Sequence, residues 1–487
     1  MKLTNKAIDL LIVIGGRAFF ALGGLLTVRI ATEFMSPKQV GTITQLMATA
    51  GFFTLILFTP VWHYMARGFC EWKDNGVLID NIRLASKYIL ISAGLVAVIL
   101  YLIQYGFDMV IGIELWWVVL LVVLNFVFKS FYTIGANGYN ILGNRKYFVF
   151  FSNVTIWVGL LLAILLFQFY NSVEYWVLGI LSGYVVASVS AVALWYELKR
   201  SPVNINNSKD IMPFNKYVVY KFSWPVLIIS CMWWMQSQSY RFIIPDLTVI
   251  GLFAMGYGVA AAPIALFEEI FSQFYEPIFY NELKSSDQSG QVKAWNNYAA
   301  YYIPSVIVMG IFIASSGHFL VQLLLGEEFR EAGKVIVIWA AVTETVRASG
   351  SMLYQIGIAK VDQRLNLLPV SVGAILSVTG VYYFSRLIDP LIGTCIALLI
   401  AAITVYIIAY KRSTKYLPVT WPLSLMFKAL LLSLTLPIYF IVSKSILKHE
   451  AIFSTIVVLS LGSLYMLLIQ LYLYNNAREL RPEKKLH

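Results

Sequence analysis

Residues 390–410 read PLIGTCIALLIAAITVYIIAY, an unbroken apolar run that stops at Lys411-Arg412. Wound into a helix at ~1.5 Å per residue, a run of this length spans about 30 Å, the hydrocarbon thickness of a bilayer. Similar runs recur from Leu10 to Leu473 with only short polar breaks between them. Of the 487 residues, 59% are hydrophobic and 13% charged, with a mean hydropathy of +0.75. An ordinary soluble domain carries roughly a quarter charged residues. The chain is therefore long enough for several soluble domains yet has no room for one, and a single all-α membrane domain fills it.

At about 20 apolar residues per span, helices are predicted near 8–32, 42–63, 86–105, 114–136, 148–170, 174–195, 217–240, 247–272, 298–324, 332–357, 365–385, 390–410, 422–443 and 451–474. That makes a polytopic protein of about fourteen transmembrane helices. An even number places both termini on one side. Most of the 36 Lys and Arg residues, among them Arg67, Lys73, Arg145, Lys146, Lys199, Arg200, Lys411 and Arg412, fall on that side, whereas the opposite loops hold Lys38, Arg330, Lys334, Arg386, Lys444 and Lys448. By the positive-inside rule both termini are cytoplasmic. The formal charge of +11 thus reports topology, since the basic residues sit at helix ends and not in one stripe with interleaved aromatics, and no nucleic-acid partner is expected. The first apolar stretch runs on into Arg29 without a small-residue cleavage site, so it is expected to stay as the first helix.

Three scattered cysteines, Cys70, Cys231 and Cys395, give neither a disulfide framework nor a thiolate metal site. With no GxxxxGK[ST] loop, no DxD and no assembled catalytic constellation, the chain is read as a non-enzyme without metal or cofactor, and nothing in it hydrolyses a nucleotide to drive transport.

The longest polar stretch, Glu197 to Tyr220, contains SPVNINNS at 201–208 and reads as a linker between two halves. Weak echoes across it support this division. Arg29 precedes Gly41 as Arg241 precedes Gly251, and YNILGNRK at 139–146 is echoed by YQIGIAK at 354–360. The expected organisation is an N-lobe of helices 1–6 (1–198), a cytoplasmic linker (199–216), a C-lobe of helices 7–12 (217–412), and helices 13–14 with a basic tail (413–487). Two pseudo-symmetric six-helix lobes around a central cavity form a transporter architecture, with the substrate path between the repeats.

Charges inside a bilayer cost roughly 2.5–3.5 kcal/mol each on insertion scales and so face a cavity or a partner. The cations are Arg17, Arg29, Lys129, Arg241 and Arg347. Arg17 lies too deep in the first helix to snorkel, beside Gly15 and Gly16, and reads either as a phosphate-binding residue or as one paired internally. Arg29 and Arg241 lie near the outer ends of corresponding helices, where long side chains reach the interface. Lys129 has Asn125, Asn137 and Asn140 nearby, as on a polar inward face. Glu344 and Arg347, three apart, share a helix face and can neutralise each other. Glu268 and Glu269 cannot share one, and with Glu344 they are the candidates for ion coupling. Gln236 and Gln238, after Trp233, suit contact with a sugar, although tryptophans are also ordinary interfacial anchors.

The first helix with Arg17, the MSPKQVG at 35–41, the LLGEEFREA at 324–332 and the PLIGTCIA at 390–397, in this order and spacing, resemble the polysaccharide-transporter branch of the multidrug/oligosaccharidyl-lipid/polysaccharide exporter superfamily, especially bacterial O-antigen flippases. The resemblance covers nearly the whole length. It implies ion-coupled alternating access, with a cationic central cavity that receives an undecaprenyl-pyrophosphate-linked oligosaccharide while the lipid tail stays among membrane lipids, and work alongside other surface-polysaccharide assembly proteins. Arg17, Lys129, Arg241 and Arg347 would then meet the anionic headgroup, which a guanidinium grips bidentately. A lipid II flippase is the nearest rival and differs little in sequence pattern. A cation-coupled multidrug extruder would be expected to place a carboxylate in the early helices, where this chain has Arg17. A membrane glycan polymerase or ligase would need a large outer loop, and these loops are short.

Overall fold

The computed structural model describes residues 5–107, 112–200, 212–285, 287–359, 364–418, 420–446 and 452–479. The centre of the predicted linker (201–211), Lys360 and the end of the basic tail (480–487) lie outside the described residues. The described chain is helical, with no strand, and its long helices are α1 (Asn5–Phe34), α2 (Pro37–Asp74), α3 (Leu78–Phe107), α4 (Leu115–Ile141), α5 (Arg145–Tyr170), α6 (Val173–Arg200), α7 (Lys216–Gln238), α8 (Leu247–Ser285), α9 (Gln288–Leu324), α10 (Glu327–Ala359), α11 (Arg364–Leu387), α12 (Pro390–Tyr416), α13 (Leu423–Ile446) and α14 (Ile452–Glu479). Twelve of these are long and apolar enough to cross a membrane. The other two, α1 and α10, carry Arg17 and Arg29, and Glu344 and Arg347, within them.

Each predicted span falls on one helix. The helices run past the spans at polar ends: α2 continues to Asp74, α8 to Ser285, and α9 starts at Gln288. Apolar patterning marks where hydrocarbon ends, whereas backbone hydrogen bonding propagates until a cap or turn stops it. At the start of α9 that cap is Asp287, whose carboxylate accepts from the Gly290 N–H at 2.9 Å. The Gly290 amide and the Ser289 hydroxyl donate to it and hold its carboxyl below the usual range. Between α4 and α5 the chain reverses through Gly143 at φ 85°, a left-handed conformation that favours glycine.

Two helices are not regular α-helix throughout. A π turn occupies Thr54–Phe58 in α2 and another Thr133–Asn137 in α4. At the second, the Thr133 hydroxyl donates back to the Lys129 carbonyl at 2.8 Å.

The chain divides into two compact units, Met1–Ala31 with Gln39–Cys231, and Thr32–Lys38 with Met232–His487. In the first, α5 and α6 meet along small residues. A Cβ on Gly183 would lie 2.0 Å from the Thr155 carbonyl oxygen, and one on Gly179 would lie 2.2 Å from the Ala163 Cα. Such residues let transmembrane helices approach closely where lipid supplies no hydrophobic drive for association. The chain entering α7 is fixed to the end of α2: Trp72 Nε1 donates to the Met212 carbonyl and the Met212 N–H to Glu71 Oε1, both at 2.8 Å, while the Phe214 ring packs on Trp72 and Tyr64.

In the second unit, the glycine of the LLGEEFREA segment explains itself. The Gly326 N–H donates to Thr32 Oγ1 at 2.9 Å, and a Cβ there would stand 2.0 Å from the Thr32 carbonyl oxygen. The PLIGTCIA segment is likewise structural. Asp389 caps α12 through the Leu391 and Ile392 N–H groups, Gly393 lies against the Phe384 carbonyl, and Cys395 is buried in a core with Ile250, Phe253 and Val381. All three cysteines are free.

Candidate functional site

In the first unit the site is built on α4. Asn125, Lys129 and Tyr132, spaced at i, i+4 and i+7, lie on one face of a mostly apolar helix. Asn125 is 2% exposed, and neither amide atom makes a hydrogen bond with any described residue. Lys129 is half-buried and its Nζ lies 5.9 Å from the centre of the Tyr184 ring on α6. No carboxylate pairs with it among the described residues. The Tyr132 ring meets Tyr184 edge-on at 5.6 Å, and its hydroxyl shares a 3.0 Å hydrogen bond with Ser152 on α5.

Arg17 reaches the same helix α5 from α1. Its guanidinium lies 4.9 Å from the Phe148 ring centre, one turn from Ser152. Gly16 allows this approach, since a Cβ there would stand 2.1 Å from Val149 Cγ1, and its carbonyl accepts from Asn153 Nδ2 at 3.1 Å. Phe19 stacks on Trp157 at 4.5 Å. Arg17 thus meets α5 at Phe148, one turn from the Ser152 that Tyr132 bonds, while Lys129, three residues before Tyr132 on α4, faces the Tyr184 ring on α6 with the unsatisfied Asn125 amide one turn away. An ammonium, amide and hydroxyl donors together form a binding set for an oxyanion.

In the second unit the acids and Arg347 form one network. Arg347 Nε donates to Glu344 Oε2 at 2.6 Å, and another guanidinium nitrogen pairs with Glu268 Oε2. Tyr257 on α8 donates to Glu344 Oε1 at 2.6 Å. Glu268 Oε1 accepts from Ser351 at 2.7 Å and from Tyr302 on α9 at 3.2 Å. The expected pairing of Glu344 with Arg347 is present, enlarged by Glu268, whereas Glu269 points elsewhere and is exposed.

The remaining candidates lie toward the ends of α1 and α7. Arg241 lies in the helical turn Tyr240–Ile243 beyond α7, half-buried, its Nε donating to the Tyr240 hydroxyl at 2.9 Å. Arg29 is half-buried in the last part of α1. Gln236 packs against Gly373 on α11, Gln238 Nε2 donates to the Ser237 hydroxyl, and Trp233 is exposed on the surface of α7. Sequence reasoning missed Ser152, Tyr132, Tyr184, Tyr257, Tyr302 and Ser351. The spacing of Tyr132 from Lys129 and Asn125 was readable, but partners on other helices carry no mark in a single sequence.

No family model matches the chain, and no curated protein matches its sequence. Solved structures do. A lipid II flippase, MurJ, in an inward closed conformation superposes with a TM-score of 0.67 at 14% identity over 96% of this chain and 99% of its own. An inward-facing multidrug resistance MATE family transporter of the MOP superfamily gives 0.56 at 14% identity over 83% of this chain and 97% of its own. A eukaryotic MATE transporter, AtDTX14, gives 0.51 at 12% identity over 84% and 95%. The chain thus has the helical fold of this flippase and these transporters, with twelve helices among the described residues long and apolar enough to make it a multi-pass membrane protein.

Proposed function

We propose that this protein is a flippase that moves undecaprenyl-pyrophosphate-linked oligosaccharide, an O-antigen or similar surface-polysaccharide repeat unit, from the cytoplasmic to the periplasmic leaflet. It works by ion-coupled alternating access of an N-lobe (1–198) and a C-lobe (217–412), in the inner membrane with both termini cytoplasmic. The observation that carries this reading is Lys129: a half-buried ammonium inside a membrane helix, with no carboxylate partner among the described residues and an unsatisfied Asn125 amide one turn away. An unpaired charge in a bilayer protein marks a ligand pathway, and a cation with amide and hydroxyl donors selects an anion. Arg17 joins it in holding the pyrophosphate, Arg241 and Arg29 are further cations for the headgroup, and Gln236, Gln238 and Trp233 are the residues suited to the glycan.

A lipid II flippase is the second reading, favoured by the MurJ superposition. That match covers 96% of the chain against 83% for the MATE transporter, a difference of about the length of α13 plus α14. A cation-coupled drug extruder has less support, because the early helices present Arg17 and Lys129 where a cationic cargo needs a carboxylate. Complementation separates the three. The wild type, Arg17→Ala and Lys129→Met, at matched membrane levels, are introduced into a strain lacking its O-antigen flippase and into one depleted of its lipid II flippase. Surface glycan restored by the wild type and lost in both variants supports the proposal. Rescue of growth in the second strain alone moves the cargo to lipid II, and resistance to cationic drugs with no rescue moves it to the extruder.

A further inference from the structure

The network in the second unit contains two carboxylates and one guanidinium, so one negative charge is in excess in a place where uncompensated charge is expensive. We infer that Glu268 is the site that binds the coupling proton, with Glu344 remaining ionised as the fixed partner of Arg347. This rests on the transport reading above and names the ion and the residue that carries it.

The two acids are held differently. Glu344 is the more buried, its side chain 7% exposed against 19% for Glu268. Its Oε1 accepts from Tyr257, whose hydroxyl has no second acceptor among the described residues. Protonating Glu344 on Oε1 would leave the Tyr257 O–H without its acceptor and take from Arg347 the counterion on its own helix. Glu268 has an alternative. Both hydroxyls that donate to its Oε1 stand equally close to the Ala348 carbonyl: Tyr302 at 3.2 Å from Glu268 and 3.1 Å from Ala348, and Ser351 at 2.7 and 2.8 Å. Each hydroxyl has one proton and two acceptors within reach. When a proton arrives on Glu268 Oε1, one hydroxyl turns its O–H to the Ala348 carbonyl and accepts from the new carboxylic acid, so no donor is left facing a donor. The triad then consists of a neutral acid beside a neutral Glu344–Arg347 pair.

The groups facing Glu268 are Arg347 and Ser351 from α10 and Tyr302 from α9. Tyr298 stacks on Tyr302, and Tyr257 and Tyr354 lie beside the Glu344–Arg347 side of the network. Helix α12 supplies no acid or base to it among the described residues. A metal cation fits poorly. All four carboxylate oxygens already face a donor, and no group of three or more acidic, His or Cys side chains that could hold a metal occurs among the described residues. A proton needs no coordination sphere.

Infrared difference spectra of the full chain in proteoliposomes, taken between alkaline and mildly acidic pH, test this without any cargo. The expected result is a protonated-carboxyl stretch that is lost in Glu268→Gln, retained in Glu331→Gln, and shifted in Tyr302→Phe, which removes one partner of the acid. Glu268→Gln keeps the Arg347–Glu344 pair and should stay folded, checked by its melting temperature. A band that survives Glu268→Gln, or one that is lost in Glu344→Gln while Glu268→Gln keeps it, overturns the assignment. In the complementing strain, Glu268→Gln should make surface glycan independent of the proton gradient. If the band behaves as expected but no strain is rescued, the proton site stands and the cargo reading falls. Rescue without a Glu268 band overturns the proton site and leaves the cargo reading intact.

Discussion

Lys129→Met separates a lysine kept for ligand binding from one kept for the fold, because the two roles give opposite signs. Methionine has nearly the same length and flexibility and no charge. In the free protein the ammonium has no carboxylate partner among the described residues, and its contact with Tyr184 at 5.9 Å is worth about 0.5–1 kcal/mol. Against this stands a cost of roughly 2.5–3.5 kcal/mol for a cation at the centre of a membrane helix. The difference predicts that Lys129→Met is more stable than the wild type by about 1–3 kcal/mol, seen as a higher melting temperature in detergent. In transport the sign reverses. Losing one charge-assisted hydrogen bond to a phosphate costs about 1.5–3 kcal/mol, and at 1.4 kcal/mol per tenfold that is a roughly 10- to 150-fold weaker apparent affinity for the lipid-linked cargo. Flipping is followed by protection of a labelled lipid-linked glycan in vesicles. A variant that melts lower than the wild type, or that flips at the wild-type rate with unchanged affinity, refutes the reasoning. The first outcome would mean that the lysine braces the helix, the second that no anion meets it.

Arg347→Met should cost about 3–5 kcal/mol, since it leaves Glu268 and Glu344 buried without their shared counterion, and adding Glu268→Gln and Glu344→Gln to it should recover most of the loss in the same thermal melt. Gly326→Val should lower stability by about 1–3 kcal/mol, because its Cβ meets the Thr32 carbonyl at 2.0 Å; an unchanged melting temperature would show that the turn yields freely. Asp287 is held below its ordinary range by hydrogen bonds to its ionised form, so its contribution is present above the unfolded carboxyl's pKa and lost as pH falls through the folded one. Asp287→Asn should therefore lower stability at neutral pH and converge with the wild type in acid, read as melting temperature against pH.

The helices were legible because bilayer thickness and apolar run length are one constraint seen from two sides. Their ends were less so, as Asp287 shows: a cap beyond the apolar run decides where α9 begins. Within the candidate site, the spacing of Glu344 from Arg347 announced their contact, but Glu268 joins them from 79 residues away, and only packing of α8 on α10 brings it there. The polar stripe expected from Asn125 through Lys129 to Asn137 and Asn140 is broken by the π turn at Thr133–Asn137, and Asn140 is exposed. Apolar periodicity does not reveal a change of pitch. The LLGEEFREA and PLIGTCIA segments carried a resemblance, yet their glycines serve backbone contact, so those segments signalled fold before function.

Each π turn is a single surplus residue absorbed into a helix that continues on both sides of it. One residue more or less rotates everything beyond by about 100°. Removing the surplus residue from 133–137 would instead leave an ordinary α-helix with the faces that bear Lys129 and Tyr139 still in their present register on either side. Gene variants that insert or delete one codon in α2 or α4 are thus expected to fall at these two turns, where the reading register of the helix can slip without breaking it.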